Sequence, residues 1–271
     1  DLAFASGINL PVIHTSVHQP VDDKKPGLSL AIFGQFFNRH ESWAEMAKPW
    51  IDYLARTSFM LQQGRNVADV AYFYGEEAPL VELYRLGPPS DVPKHHAWDF
   101  INADALLNAV TAANGEIVTK GGARYKAIYL GGSSSKMTLP VLRRLSELVE
   151  AGATVIGPPP ASSPSLADNA SAFADALAKL WPQGTSSSVG KGRVIVSNDP
   201  DQALAMAGVA PAFQFEKGSD HQRLMVLERA VGAGRVYFFH NRAAEPVVAR
   251  SRRTNSSPPK RHATSSSRSE A

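Results

Sequence analysis

A regular alternation of apolar strands and amphipathic helices in the second half of the chain constrains the fold most. The predicted strands are 125–130, 154–157 and 193–197, and the predicted helices are 139–151, 166–181 and 199–207. Strands that alternate with helices of this length usually pair in parallel, because each helix carries the chain back to the starting edge of the sheet. The pattern therefore predicts an α/β fold, with a flavodoxin-like parallel-sheet domain over residues 98–215.

Shorter elements flank the alternating region. A helix is predicted over 102–110, and Asn114-Gly115 favours a tight turn into a strand over 116–119. Farther along, strands over 223–229 and 235–240 are joined by a glycine-rich turn, which predicts an antiparallel pair. We expect this pair, within residues 220–242, to lead into a β domain that the sequence does not contain.

The first 85 residues contain two further apolar runs. Residues 7–14 are entered through a glycine and predict a short buried strand that ends at His14. Residues 67–74 are interrupted only by Asp69, a pattern that is typical of a strand buried on both faces.

A helix is predicted between these two strands. Ser42 followed three residues later by Glu45 matches a capping box, which predicts a helix over 43–63. Gly64 is well placed as its left-handed stop. Pro49 lies in the second turn, so we expect a kink or an offset start of the helix there.

The positive charge of the chain is concentrated near its end. The net charge of +3 includes +4 from residues 243–271, which leaves residues 1–242 at −1. The first 242 residues therefore lack the basic excess of a nucleic-acid-binding domain. Residues 250–271 are composed largely of Ser, Arg, Pro, Lys and Thr, so we predict a disordered tail over 243–271. A frameshifted end and a genuine basic tail both account for this composition.

The sequence lacks cysteine and lacks a long apolar run, and these two absences bear on its chemistry and on membrane binding. The chain has no cysteine, so disulfides and thiolate chemistry within it are excluded, while the compartment stays open. No apolar run reaches the length of about eighteen residues that spans a bilayer, so we expect no membrane partner.

Residues near the start of the predicted helix combine hydrogen-bond donors with aromatic faces. Asn38 and Arg39 are flanked by Phe36, Phe37 and Trp43. A bound sugar needs partners for its hydroxyl groups and an apolar platform for its C–H face. We therefore interpret Asn38, Arg39 and Trp43 as substrate-binding residues. A salt-bridged loop anchor is the alternative role for Arg39.

The same region contains a longer set of ordered motifs. They are Phe37-Asn38-Arg39, Trp43, Trp50, Tyr53-Leu54-Ala55-Arg56, Leu61-Gln62-Gln63-Gly64-Arg65, Val67-Ala68-Asp69 and Phe73-Tyr74-Gly75-Glu76. In these motifs the chain resembles glycoside hydrolase family 106, the α-L-rhamnosidases. The resemblance extends more loosely over most of the chain, and the tail fits no member of that family.

The resemblance implies that residues 1–85 are the last part of a (β/α)8 catalytic barrel. It implies a parent enzyme that releases terminal α-L-rhamnose from plant glycosides or polysaccharides with inversion. The general acid and base of that enzyme are expected upstream of Asp1, so no catalytic residue is assigned within the chain. The chain is then a fragment, inactive alone, of a periplasmic or secreted protein. The resemblance allows calcium in the parent and establishes no cofactor.

Three residues at and after the first predicted strand are candidate sugar ligands on the barrel interpretation. They are His14, His18 and Gln19, since active sites of such barrels lie at the carboxyl ends of strands. The four-residue spacing of the two histidines also suits zinc on a helix, but Pro11 and Pro20 disfavour a helix there. Packing of the histidines under a loop is the structural alternative.

Sugar hydrolysis requires two carboxyl groups that flank the scissile bond. Glu41 precedes the predicted helix and Glu76 follows the strand over 67–74, so both are candidate pocket residues. Asp22 and Asp23 lie in a charged turn and are interpreted as solvated residues.

Other functions receive less support from the sequence. The segment Gly131-Gly132-Ser133-Ser134-Ser135-Lys136 lacks the spacing of a phosphate-binding loop, so no nucleotide or flavin is expected. A non-catalytic flavodoxin-like binding or docking module is the main alternative to the hydrolase. Nucleic-acid binding through the tail is the second alternative.

Overall fold

The computed structural model describes residues 1–33, 37–77, 89–184, 186–215 and 224–254. Three features of the sequence analysis lie outside these ranges. They are Phe36, the domain boundary at residue 85 and the tail after residue 254.

The described elements are named in chain order. The strands are β1 (Arg65–Asn66), β2 (Val70–Phe73), β3 (Trp98–Ile101), β4 (Val110–Ala113), β5 (Glu116–Thr119), β6 (Arg124–Tyr125), β7 (Ala127–Leu130), β8 (Thr154–Ile156), β9 (Ser187–Val189), β10 (Gly192–Ile195), β11 (Phe213–Phe215), β12 (Leu224–Val231), β13 (Gly234–Asn241) and β14 (Ser251–Arg253). The α-helices are α1 (Leu2–Ala5), α2 (Lys48–Leu61), α3 (Ala103–Asn108), α4 (Leu139–Glu150), α5 (Ala170–Leu180) and α6 (Pro200–Met206).

The largest sheet has six strands in the order β3-β2-β7-β8-β10-β9. All of its pairings are parallel except that of β9 with β10. The α/β class and its parallel-sheet domain are thereby confirmed. The predicted strands over 125–130, 154–157 and 193–197 are present with narrower bounds, as β7, β8 and β10.

Strand β2 belongs to this sheet, although the sequence pattern places it in the barrel segment. Val70 is in register with Trp98 of β3 and with Ala127 of β7. All four residues of β2 are fully buried, as its continuous apolar run predicts for a strand covered on both faces. The parallel sheet therefore begins before the predicted boundary at residue 85.

Helices cover the two faces of the sheet and create two hydrophobic cores. Ala71 and Phe73 of β2 point into a core shared with α4 and α5. Val70 and Tyr72 point into a second core, which contains residues of α6. Because successive residues of a strand face opposite sides, β2 contributes to both cores.

The described residues also form three smaller sheets. They consist of β4-β5-β6, β1-β12-β13 and β11-β14. The turn between β4 and β5 is the predicted Asn114-Gly115, and both residues have positive φ, 54° and 77°. The predicted antiparallel pair over 223–229 and 235–240 is also present, as β12 and β13.

The strand predicted over residues 7–14 is wrong. These residues form no strand, and their apolar side chains are largely exposed, with Val12 at 87%. Among residues 1–33 and 37–64, helices, turns and loops are present and no strand is formed. The apolar run thus lacks a paired strand in the described part of the chain, and a barrel role for residues 1–85 stays a prediction.

The predicted helix over 43–63 divides into two parts. A 3-10 helix spans Ala44–Ala47 and α2 follows from Lys48, with Pro49 in its first turn. The offset start is therefore confirmed, since proline is tolerated where the N–H has no helical partner. The predicted capping box is not formed, because no side chain caps the start of either helix. Gly64 has φ of 61°, as expected of the helix stop.

A short strand occurs within residues 243–271, for which disorder stays a prediction. Ser251–Arg253 forms β14, which pairs antiparallel with Phe213–Phe215. The backbone can pair in this way whatever the side-chain composition, because ladder hydrogen bonds use only N–H and C=O groups.

The substitution Leu145→Ala tests the core between the sheet and α4. Leu145 is fully buried, so we expect a loss of about 2–5 kcal/mol in unfolding free energy. Leu166→Ala is the matched control, because that side chain is fully exposed. Urea denaturation followed by circular dichroism measures both. Equal stabilities of the two variants would contradict the packing described.

Candidate functional site

A pocket of about 330 Å³ lies at the loop before α2. Its lining residues come from two segments that the chain folds together. They are Ser16, Phe37, Asn38, Arg39, Trp43, Ala44 and Ala47. The structure thus brings together three predicted substrate-binding residues, namely Asn38, Arg39 and Trp43.

Three aromatic rings form one side of this region. The centroids of Phe37 and Trp43 lie 5.7 Å apart, and those of Trp43 and Trp50 lie 6.1 Å apart. Trp50 also contacts Phe37 edge-on, at 6.4 Å. Because Trp50 belongs to α2, it ties the pocket wall to that helix. Each ring restricts its neighbours, so Trp43 is held as a platform rather than as a mobile side chain.

Arg39 is held by hydrogen bonds that it donates to a preceding turn. Its Nε and Nη2 donate to Oδ1 of Asp22, at 2.9 and 2.7 Å. Nη2 also donates to the backbone oxygen of Gln19, at 2.9 Å. The hydrogen bonds and charge of Arg39 hold the pKa of Asp22 below its ordinary value. The salt-bridged role is therefore present, and Arg39 also lines the pocket.

Asn38 shapes the loop with its own side chain. Its Oδ1 accepts a hydrogen bond from the backbone N–H of His40 at 2.7 Å, an Asx turn. Its Nδ2 donates to the Pro26 oxygen at 3.3 Å. The amide therefore fixes the direction of the chain at the pocket.

The remaining candidates in the N-terminal segment do not line the pocket. Gln19 is buried and is bonded to Val17 and Leu28, so it braces the turn from within. Nδ1 of His14 lies 2.8 Å from the Phe33 oxygen, while His18 is exposed. Glu41 accepts a hydrogen bond from the backbone N–H of Ser42 at 3.2 Å. Sugar binding by these four residues stays a prediction.

Asp1 does not line the pocket. The catalytic pair is expected upstream of this residue. Asp1 is exposed at the N-cap position of α1, and its carboxylate accepts a hydrogen bond from the hydroxyl of Tyr53 in α2. The ring of Tyr53 also meets Phe4 of α1 edge-on, with centroids 6.3 Å apart. Asp1 therefore joins α1 to α2. The upstream position of the acid and base stays a prediction.

Glu76 lies in the parallel-sheet domain and makes a structural contact. Its two carboxylate oxygens accept from the backbone N–H and the hydroxyl of Thr138, at 2.7 and 2.8 Å. Thr138 is the residue before α4. Glu76 thus connects the end of β2 to the start of that helix, and an anion at this end of a helix is stabilising.

The pocket lining does not suit calcium. Calcium takes about six to eight oxygen ligands, usually including carboxylates. The lining residues include no Asp or Glu, and no group of three or more His, Asp or Glu suited to a metal occurs in the described ranges. The helix that His14 and His18 would need for zinc is also absent.

Asp22 is a site residue that sequence reasoning missed. Its side chain is exposed, as the charged turn indicates, but it also accepts hydrogen bonds from Arg39, 17 residues later in the chain. Ser16, Ala44 and Ala47 were missed as well, because small residues carry no signal of their own in a sequence.

Among the described residues, none of the helices has both the length and the apolar character of a membrane span.

Comparisons with known proteins give the class of protein. A family model described as alpha-L-rhamnosidase matches residues 1–267. The solved structure of a rhamnosidase from Novosphingobium sp. PP1Y is 53% identical, with a TM-score of 0.79 over 89% of this chain and 23% of that chain. A Formosa agariphila protein named "Putative beta-glucuronidase" is 40% identical over 171 residues, 61% of this chain and 14% of its own length.

The family match and the structural neighbour place the chain in a family of glycoside hydrolases. More specifically, the chain belongs to the alpha-L-rhamnosidase family, glycoside hydrolase family 106. It spans less than a quarter of the length of either relative. The family match extends through residue 267, so the expectation that the tail lies outside the family is wrong.

The substitution Glu76→Ala tests whether the Glu76 carboxylate stabilises the fold through its hydrogen bonds to Thr138. Loss of both bonds to Thr138 should lower the unfolding free energy by about 1–2 kcal/mol, the scale of a lost helix cap. Glu77→Ala is the control, because Glu77 makes a part-exposed ion pair with Lys136 at 3.0 Å, which is worth about 1 kcal/mol or less. Thermal denaturation of both variants measures the difference. Weaker sugar binding by Glu76→Ala at unchanged stability would contradict this placement.

Proposed function

We propose that this chain contributes the sugar-holding pocket and scaffold of an α-L-rhamnosidase. The longer enzyme would release terminal α-L-rhamnose from plant glycosides or polysaccharides. The pocket carries this proposal, because Trp43 and Phe37 offer apolar faces beside the amide of Asn38 and the guanidinium of Arg39. Such a mixture binds a neutral sugar through its C–H face and its hydroxyl groups.

In the proposed reaction, an acid protonates the leaving oxygen while a base activates water for inversion. Neither group is found among the described lining residues, none of which carries a carboxylate. We therefore place both catalytic carboxylates on polypeptide upstream of Asp1. The exposed apolar residues of the N-terminal segment support contacts with further barrel polypeptide. They include Val12, Ile32, Phe33 and Met46, each at least 72% exposed.

Sugar binding and hydrolysis by the isolated chain test the proposal. L-rhamnose should bind weakly, and an aryl α-L-rhamnoside should show no turnover, because the carboxylates are absent from the pocket. Trp43→Ala should weaken binding by about fivefold, the scale of one aromatic contact. Titration followed by NMR measures affinity, and release of the aryl group measures turnover.

Phe59→Ala provides the matched control for Trp43→Ala. Phe59 is an exposed aromatic residue of α2, at 64%, and does not line the pocket. Equal affinities of the two variants would show that Trp43 does not contact the sugar, and this result would contradict the proposed role of the pocket. Clear hydrolysis by the isolated chain would show that its own carboxylates suffice.

A further inference from the structure

The orientation of Arg39 depends on two anchors in the turn before the pocket. A guanidinium carries five N–H donors. Three are used, two toward Oδ1 of Asp22 and one toward the Gln19 oxygen. The two N–H groups of Nη1 have no partner within the described ranges. Among the described residues, the Nη1 amino group of the pocket-lining Arg39 is thus not engaged.

The two anchors differ in their surroundings. Gln19 is 6% exposed, and its side chain bonds the backbone on both sides of the turn, so its carbonyl oxygen is a fixed acceptor. Asp22 is 83% exposed at its side chain. Besides Arg39, Asp22 lies 3.7 Å from the ring of His40, and the charge of Lys25 also acts on it. Its carboxylate thus contributes little packing and acts on Arg39 through charge and hydrogen bonds.

We propose that Asp22 is a positioning residue that orients Arg39 and sets the pocket's preference for a neutral sugar. This inference rests on the proposed function. With Asp22 in place, Nη1 presents two adjacent donors, which suit two neighbouring hydroxyl oxygens. Asp22 also compensates the guanidinium charge, so a sugar carboxylate gains little from Arg39. Without Asp22, the arginine is mobile and its charge is uncompensated.

The substitution Asp22→Asn distinguishes a positioning role of Asp22 from a purely structural one. If Asp22 positions Arg39, the substitution should change the affinities for two sugars in opposite directions. Binding of L-rhamnose should weaken by about fivefold, and binding of D-glucuronate should strengthen by a similar factor, the scale of one charge-assisted contact. Titrations followed by NMR measure both. A merely structural defect would weaken both ligands together, and that result would overturn the proposal.

Two further variants complete the experiment. Asp23→Asn removes the same charge one residue away, where the carboxylate is 75% exposed and lies 3.7 Å from Lys24. It should leave both affinities unchanged. Asp22→Glu keeps the carboxylate and should restore most of the rhamnose affinity. Equal effects of Asp22→Asn and Asp23→Asn would also overturn the proposal.

A measurement without sugar keeps the inference distinct from the proposed function. The Nε–H signal of Arg39 should be sharp in the unaltered chain and in Asp23→Asn, since the bond to Asp22 slows its exchange with water. It should broaden in Asp22→Asn, whose amide oxygen accepts a weaker hydrogen bond, and disappear in Asp22→Ala, which has no acceptor. An unchanged signal would show that Asp22 does not orient Arg39. If the unaltered chain bound neither sugar, the proposed function would fail, and this signal would still decide the positioning role.

Discussion

The burial of β2 on both faces is the constraint on which the described architecture depends. Its four residues are fully buried and pair in parallel with β3 and β7. A strand in this position cannot shift register by one residue without exchanging the side chains of its two cores. It therefore fixes the sheet and also the point at which the N-terminal segment enters it.

The entry point is reinforced by a residue far away in sequence. Arg229 of β12 donates to the backbone oxygens of Gln63 and Gly64, both at 2.9 Å. A Cβ at Gly64 would lie 1.9 Å from the Ala230 oxygen, so only glycine permits this approach. Gln63 and Gly64, at the end of α2, and strand β12 are thus held in close contact, and we call this contact the joint. This joint connects the segment that bears the pocket to the parallel sheet.

Elements whose signal is local could be predicted from the sequence, and those that depend on distant partners could not. The apolar run at β2 and the turn at Asn114 carry their own patterns, and both predictions are confirmed. Residues 7–14 have a similar apolar pattern but lack a strand neighbour in the described ranges, so periodicity alone misassigns them. Likewise, Asp22 gains its role only through a contact with Arg39. The pattern of a charged turn contains no information on that partner.

The charge pairing at the pocket also bears on the proposed reaction. Glycoside hydrolysis passes through a transition state with positive charge on the sugar ring. An isolated guanidinium nearby would oppose that charge, more strongly where water is excluded. Asp22 pairs with Arg39 at 2.7 Å, so the net charge of the pair is near zero. On the proposed function, Arg39 would then donate hydrogen bonds to the sugar without raising the barrier, which reconciles an arginine in the pocket with a cationic transition state.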